Sequence, residues 1–168
     1  MATTWTSQRS GDWSSLSDTL GVSPWDDGHG NTQHNLATIP QNGDSVVIAS
    51  GHTVVFDTDQ VAGGIVLVNL TITGTLSCKT SGGPYSLQVS GTIGGAGTFN
   101  AGSVGTALPV TTIFTINLGA AGKFLGTSGL VINFYCSHPT NKFVLLDAAA
   151  HRDTHVHSTV ATNVDLTA

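Results

Sequence analysis

Three histidines and an aspartate near the end of the chain are the residues best suited to bind a metal. The sequence HRDTHVH places His151, Asp153, His155 and His157 at alternate positions, and alternate residues of a β-strand share one face. Imidazole and carboxylate groups are common ligands of zinc and other divalent metals. These four residues are therefore the predicted metal site, although an exposed polar strand edge or a subunit contact would show the same pattern. We predict no other cofactor.

The acidic residues are poorly distributed for catalysis. The chain has ten of them, and none falls between Asp59 and Asp147. Cleavage of a polysaccharide on a β-scaffold needs clustered carboxylates, and no Ser-His-Asp or Cys-His motif in a recognisable context provides an alternative. The sequence therefore predicts that the protein is not an enzyme.

All three tryptophans, Trp5, Trp13 and Trp25, lie in the first 42 residues, among many turn-forming residues. Stacked β-folds need cover over their first unpaired strand edges, and large aromatic rings supply it. The same rings are candidate partner-binding residues, since an exposed indole can stack on a sugar. The exposure of the three rings distinguishes these two roles.

The elements that must position these residues are short strands. In GDSVVIASGHTVVFDTD (43–59) and IVLVNLTITGTLSC (65–78), apolar residues alternate with small or polar ones, and Gly-Thr steps recur after the strands. This pattern predicts an all-β fold, a short right-handed parallel β-helix with an irregular, Trp-rich N-terminal cap. A β-sandwich or jelly roll is the alternative. The residues predicted to share the inner face are Val46, Ile48, Val54, Phe56, Val66, Val68, Leu70 and Ile72.

The organisation predicted along the chain is a single β domain, residues 1–168. It comprises a cap or arm (1–42), the β-helix body (43–136) and C-terminal strands or tail (137–168). Cys78 and Cys136 each end an alternating strand, so we expect small buried side chains there, with a disulfide between coils as the alternative.

The composition limits the possible partners. Only 9% of residues are charged, against about 25% in typical domains. With a net charge of −5 and five Lys and Arg, the chain cannot form the basic patch that nucleic acids or anionic membranes require. Low-charge, Thr- and Gly-rich surfaces are typical of extracellular or virion β-proteins that pack against neighbours. The N-terminus also lacks the basic start and apolar core of a secretory signal.

A run of motif residues resembles the opening of bacterial and phage β-helix proteins and the domain family named for its eight glycines. The resemblance extends from GDW (11–13) through the Gly-Asp and Gly-His-Thr-Val steps to NLTITGTLSC (69–78), and covers about residues 11–78. The insertion at 23–35 is longer and more polar than the usual loop, and we expect in these residues none of the catalytic domains that follow in larger members. The matching residues are Pro40, Gly43, Asp44, Gly51, His52, Thr53, Val54, Asp57, Gly74, Thr75 and Leu76.

The resemblance implies a fold more than an activity, because the family occurs both in surface glycan-related proteins and in phage particles. At His52 we expect a corner residue that hydrogen-bonds to the backbone, with Asp44 or Asp57 as candidate partners.

Together these features favour a non-enzymatic phage virion structural protein, located on the capsid surface as a decoration (cement) protein that stabilises the shell. Its expected partners are copies of itself, as a homotrimer, and the major capsid protein. Nucleic acid and membrane are not expected as partners. A tail-associated virion protein is one alternative. A carbohydrate-binding or adhesin module of an extracellular or cell-surface protein, with a glycan as partner, is the other.

Overall fold

The computed structural model describes residues 2–15, 23–26, 39–102, 114–118, 123–124, 130–134, 143–147, 152–156 and 162–163. Within these ranges the chain is all-β apart from one four-residue helix, α1 (Gln60–Gly63), which agrees with the all-β part of the predicted fold class. None of the described helical structure is long and apolar enough to cross a membrane. The strands, in chain order, are β1 (Thr4–Ser7), β2 (Gly11–Asp12), β3 (Trp25–Asp26), β4 (Ser45–Ile48), β5 (Thr53–Phe56), β6 (Leu70–Ile72), β7 (Thr75–Cys78), β8 (Tyr85–Val89), β9 (Thr92–Gly94), β10 (Thr98–Ala101), β11 (Phe114–Leu118), β12 (Lys123–Phe124), β13 (Val131–Phe134), β14 (Phe143–Asp147), β15 (Arg152–Val156) and β16 (Thr162–Asn163).

These strands form three sheets in which pairing is mostly parallel. The orders are β12-β9-β6-β4-β1-β3, β16-β13-β10-β7-β5-β2 and β15-β14-β11-β8. Three pairings are antiparallel, namely β1 with β3, β13 with β16 and β14 with β15. In each case the reversed strand stands at the end of its sheet.

Alternation along each strand places the apolar side chains in one continuous core. Parallel pairing sets these residues opposite one another on neighbouring strands: Val54 faces Leu76, which in turn faces Phe99. In the first sheet Leu70 likewise lies between two apolar partners on β4 and β9. Because successive strands superpose their inward residues, the local alternation of the sequence becomes a stack of buried side chains.

The predicted inner face is wrong between residues 65 and 69. Leu67 is fully buried, whereas Val68 is 39% exposed and Val66 only partly buried. The segment is not a continuous strand: Leu67 makes an isolated bridge to Val89, and the chain bends before β6 begins at Leu70. This bend reverses the alternation, so that the buried positions shift by one residue.

Strand pairing also runs across both predicted boundaries of the body. Strands β1 and β2, within the predicted cap, pair in parallel with β4 and β5. Strand β14, within the predicted tail, pairs in parallel with β11. The N-terminal residues therefore contribute strands to the sheets and not only cover.

Helix α1 covers the outer edge of β8, the first strand of the third sheet. Asp59 caps the helix by accepting from the Ala62 N–H at 3.2 Å. The Gln60 side-chain carbonyl accepts from the Gln88 N–H at 2.8 Å, and the Gln88 side-chain amide donates to the Gln60 carbonyl at 3.1 Å. The Gln60 side chain thus accepts a hydrogen bond from a backbone N–H at the edge of β8 that would otherwise be unpaired.

Candidate functional site

Asp44 binds three donors that converge from two parts of the chain. Its Oδ1 accepts from the Thr3 N–H at 2.9 Å, and its Oδ2 accepts from the Trp5 Nε1–H at 2.7 Å. The same Oδ2 accepts from the Gln41 N–H at 2.8 Å. The residue is only 6% exposed, and burial of a charged group is tolerated when its oxygens accept several hydrogen bonds. Asp44 therefore fixes β1 onto the start of β4.

His52 binds the end of β1. Its Nδ1 lies 2.9 Å from the Ser7 carbonyl oxygen and 3.0 Å from Ser7 Oγ. A carbonyl oxygen only accepts, so Nδ1 carries the proton that is donated to Ser7. Ser7 Oγ also accepts from the Ala49 N–H at 2.8 Å. The predicted role of His52, a corner residue bonded to the backbone, is confirmed, and its partner is Ser7 in place of either predicted aspartate.

Asp57 binds the segment that follows β2. Its two oxygens accept from the Ser14 N–H at 2.9 Å and from the Ser14 hydroxyl at 2.7 Å. Lys79 Nζ lies 3.5 Å from Asp57 Oδ2, and the Asp57 side chain is only 6% exposed. Between His52 and Asp57, the Thr53 N–H donates to Ser10 Oγ at 2.9 Å.

These contacts define two matched parts of the molecule. We call the side chains of Asp44, His52 and Asp57 the N-terminal seat, and residues 3–14 the N-terminal segment. Every seat residue bonds the segment across 39 to 45 positions of sequence. In the seat, Asp44 and Asp57 accept hydrogen bonds and His52 donates one, and each of the three side chains bonds to the N-terminal segment.

Two motif glycines fit the backbone around the seat, one through a close approach and one through its conformation. A Cβ on Gly74 would lie 2.2 Å from the Ala49 carbonyl oxygen and 2.5 Å from that of His52, both backbone atoms. Gly43, directly before Asp44, has a φ of +85°, a conformation that other residues rarely adopt. The motif spacing therefore reflects backbone geometry around the seat.

The three tryptophan rings lie inside the protein. Trp13 and Trp25 are fully buried and Trp5 is 5% exposed. Trp13 makes edge contacts with Trp25 and Phe56, with ring centroids 4.7 and 4.9 Å apart, and Trp25 Nε1–H donates to the Trp13 carbonyl at 2.9 Å. A glycan would stack on these rings only if they left the core.

The predicted metal ligands fall at the margin of the described residues. His151 and His157 lie outside them. Asp153 and His155 occupy alternate positions of β15, opposite Leu146 and Val144, so the backbone places them on one face. The metal site stays a prediction; elsewhere in the described ranges, no group of three His, Cys, Asp or Glu could hold a metal ion.

Cys78 is a free, buried thiol at the end of β7. Burial raises its pKa well above the ordinary value, because desolvation disfavours the thiolate. The thiol is thus a small core side chain, as predicted. Cys136 lies outside the described residues.

The serines of the N-terminal segment, Ser7, Ser10 and Ser14, are the functional residues that sequence reasoning missed. In the sequence they are ordinary polar residues among many, and only the parallel pairing of β1 and β2 brings them to the seat. The motif residues on the other side of the contact did carry a signal, in the Gly-Asp and Gly-His-Thr steps.

Comparison with known families assigns the chain to one of them. The fold and the seat define an all-β protein whose polar motif residues bind its own N-terminal strand. The family model for the G8 domain matches residues 29–132, which is more than half of the chain, and the chain belongs to this family. The predicted extent of the resemblance, residues 11–78, was wrong at both ends. Neither a curated protein nor a solved structure matches the chain.

Proposed function

We propose that this protein is a non-enzymatic structural component of a phage virion, built as a short right-handed parallel β-helix and serving as a capsid decoration protein. Parallel pairing in all three sheets supports the β-helix over a sandwich or jelly roll, whose sheets are antiparallel. Hydrogen bonds that link residues 23 to 25 positions apart, such as Thr92 to Asn69 and Thr73 to Ile48, fit coils of that length.

The observation that carries the non-enzymatic role is the use of carboxylates within the fold. Asp44 and Asp57 are filled by donors from the N-terminal segment. Asp59 accepts from the Ser86 hydroxyl and from the helix it caps. General acid–base chemistry needs a carboxylate positioned toward a substrate, and these three are directed toward the chain itself.

Two sets of neighbouring strands carry no charge, and we call their outward faces the uncharged walls. These walls support a role in contact with neighbouring proteins. No charged residue occurs in β1, β4, β6 and β9 of the first sheet, or in β5, β7, β10 and β13 of the second. The outward positions of these strands carry Thr, Ser, Asn and Val. The chain has a net charge of −5, so its charged regions would repel another acidic protein. Its uncharged strands would repel such a partner least. We propose that these walls face the shell and the other copies of a homotrimer, since short β-helices gain by burying their sides.

The deciding experiment is co-sedimentation of the native protein with purified particles from its source, with copy number from quantitative mass spectrometry. Hundreds of copies per particle are expected for a capsid decoration protein, and particles without it should lose resistance to heat and osmotic shock. A few or a dozen copies would assign the protein to the tail or a vertex. Absence from particles would refute the virion role and favour the glycan-binding module.

A matched pair of variants tests the wall. Val131 on β13 is 50% exposed, and Val61 on α1 is 53% exposed. In add-back to particles that lack the protein, Val131→Asp should lose binding because it places a charge on the wall, whereas Val61→Asp should bind as the wild type does. Equal binding by the two variants would remove the second-sheet wall as the contact face.

A further inference from the structure

We propose that the N-terminal seat is a strand-binding surface, and that it accepts the N-terminal segment of a second copy of this chain as well as its own. The seat lies beside the edges of β4 and β5 that the chain's own β1 and β2 cover by parallel pairing. Main-chain pairing of this kind supplies affinity, and side-chain contacts supply selectivity.

Selectivity comes from donors at fixed positions of the segment. Asp44 recognises the indole N–H of Trp5 together with the backbone N–H of Thr3. His52 recognises Ser7 through its carbonyl and hydroxyl oxygens. A strand that lacks the indole donor would leave Asp44 Oδ2 with the Gln41 N–H as its remaining donor, so a buried carboxylate loses one of its three hydrogen bonds and the seat favours Trp over Phe at that position.

The contacts do not depend on the covalent connection between segment and seat. The segment precedes the range matched by the G8 family model, whereas all three seat residues lie within it. The bonds between them span 39 to 45 residues, so a second copy's segment would make the same bonds in the same geometry. The connection only raises the effective concentration of the chain's own segment, and a weakened segment is therefore replaceable from outside.

The test uses the full chain with Trp5→Phe, which keeps an aromatic ring, removes the indole donor and leaves a smaller side chain at a buried position. A synthetic peptide of residues 2–15 stands in for the segment of a second copy. Binding is measured by fluorescence anisotropy of the labelled peptide and by the shift in Tm. The wild-type peptide should bind and raise Tm, and a Trp5→Phe peptide should bind about tenfold more weakly.

The control places Asp44→Asn in the same Trp5→Phe chain. The asparagine oxygen still accepts from the indole N–H, but as a neutral bond, so the preference for the wild-type peptide over the Trp5→Phe peptide should shrink, as a double-mutant cycle requires when the two groups interact directly. A second full chain, with Trp5→Ala, holds its own N-terminal segment in the seat still more weakly and so gives the peptide a better chance to bind. If neither weakened chain binds the peptide at millimolar concentration, or if Asp44→Asn leaves the preference unchanged, the proposal is overturned.

Discussion

Replacing Asp44 with asparagine tests how the N-terminal segment is bound, because the change keeps the shape of the side chain and removes its charge. Three N–H donors, from Thr3, Trp5 and Gln41, converge on the two carboxylate oxygens. Asparagine has one carbonyl oxygen and one NH2 group. Whichever way the amide is oriented, its NH2 group faces at least one N–H donor.

The magnitude follows from the geometry. With the amide oxygen at the Oδ2 position, the bonds from Trp5 and Gln41 survive as neutral bonds, and the Thr3 N–H loses its acceptor. Hydrogen bonds to charged groups contribute about 1.5–3 kcal/mol and neutral ones about 0.5–1.5 kcal/mol. Relief from burying a charge at a site only 6% exposed offsets part of this loss. We expect the free energy of unfolding to fall by about 2–3 kcal/mol.

Equilibrium unfolding in urea measures this change, with emission from the three buried tryptophans as the probe and the m-value as a check on two-state behaviour. Asp12→Asn is the matched control, since Asp12 is exposed and surface changes usually stay within about 0.5 kcal/mol. A loss of less than about 0.5 kcal/mol for Asp44→Asn would refute the assignment of Asp44 as the main anchor of the segment.

Three further predictions follow from single features of the fold. Gly74→Ala should destabilise the protein by about 3 kcal/mol or prevent folding, because its Cβ would meet two backbone oxygens; Gly63→Ala, whose nearest atoms lie at 3.5 Å, should be neutral or stabilising in the same thermal melts. The raised pKa of Cys78 contributes stability that is fully present below the unfolded pKa of about 8.5 and is lost as pH rises through the folded pKa. Urea unfolding of a Cys136→Ala chain between pH 7 and 10 should show this loss of stability. Adding Cys78→Ala to that chain should make the loss smaller. Acrylamide should quench the tryptophan emission weakly and glycans should leave it unchanged, whereas strong quenching or a glycan-dependent shift would support the carbohydrate-binding alternative.

The strands were the most predictable part of the structure. Alternation in 45–48, 53–56 and 75–78 reflects only which residues face the core, and the structure places strands there. The error at Val66 and Val68 arose where a bend between Leu67 and Leu70 changed the phase. Helix α1 was missed because four residues have no periodicity to detect.

Of the two sets of residues that meet at the seat, the sequence identified only the seat residues and not their partners in the N-terminal segment. The motif identified Asp44, His52 and Asp57 as notable residues, and the interpretation of His52 as structural was correct. Their partners Ser7 and Ser14 were not predictable, because nothing in the local sequence specifies which strand lies beside β4 or β5.

The sequence by itself determined the all-β class, the inward residues of most strands and membership of the G8 domain family, because these depend on local alternation and on a motif with fixed spacing. Tertiary structure alone decided what the motif residues bind. The segment donors to Asp44 and Asp57, and the Ser7 carbonyl that accepts from His52, lie 39 to 45 positions away, and only the parallel register of β1 and β2 against β4 and β5 brings them within hydrogen-bond distance.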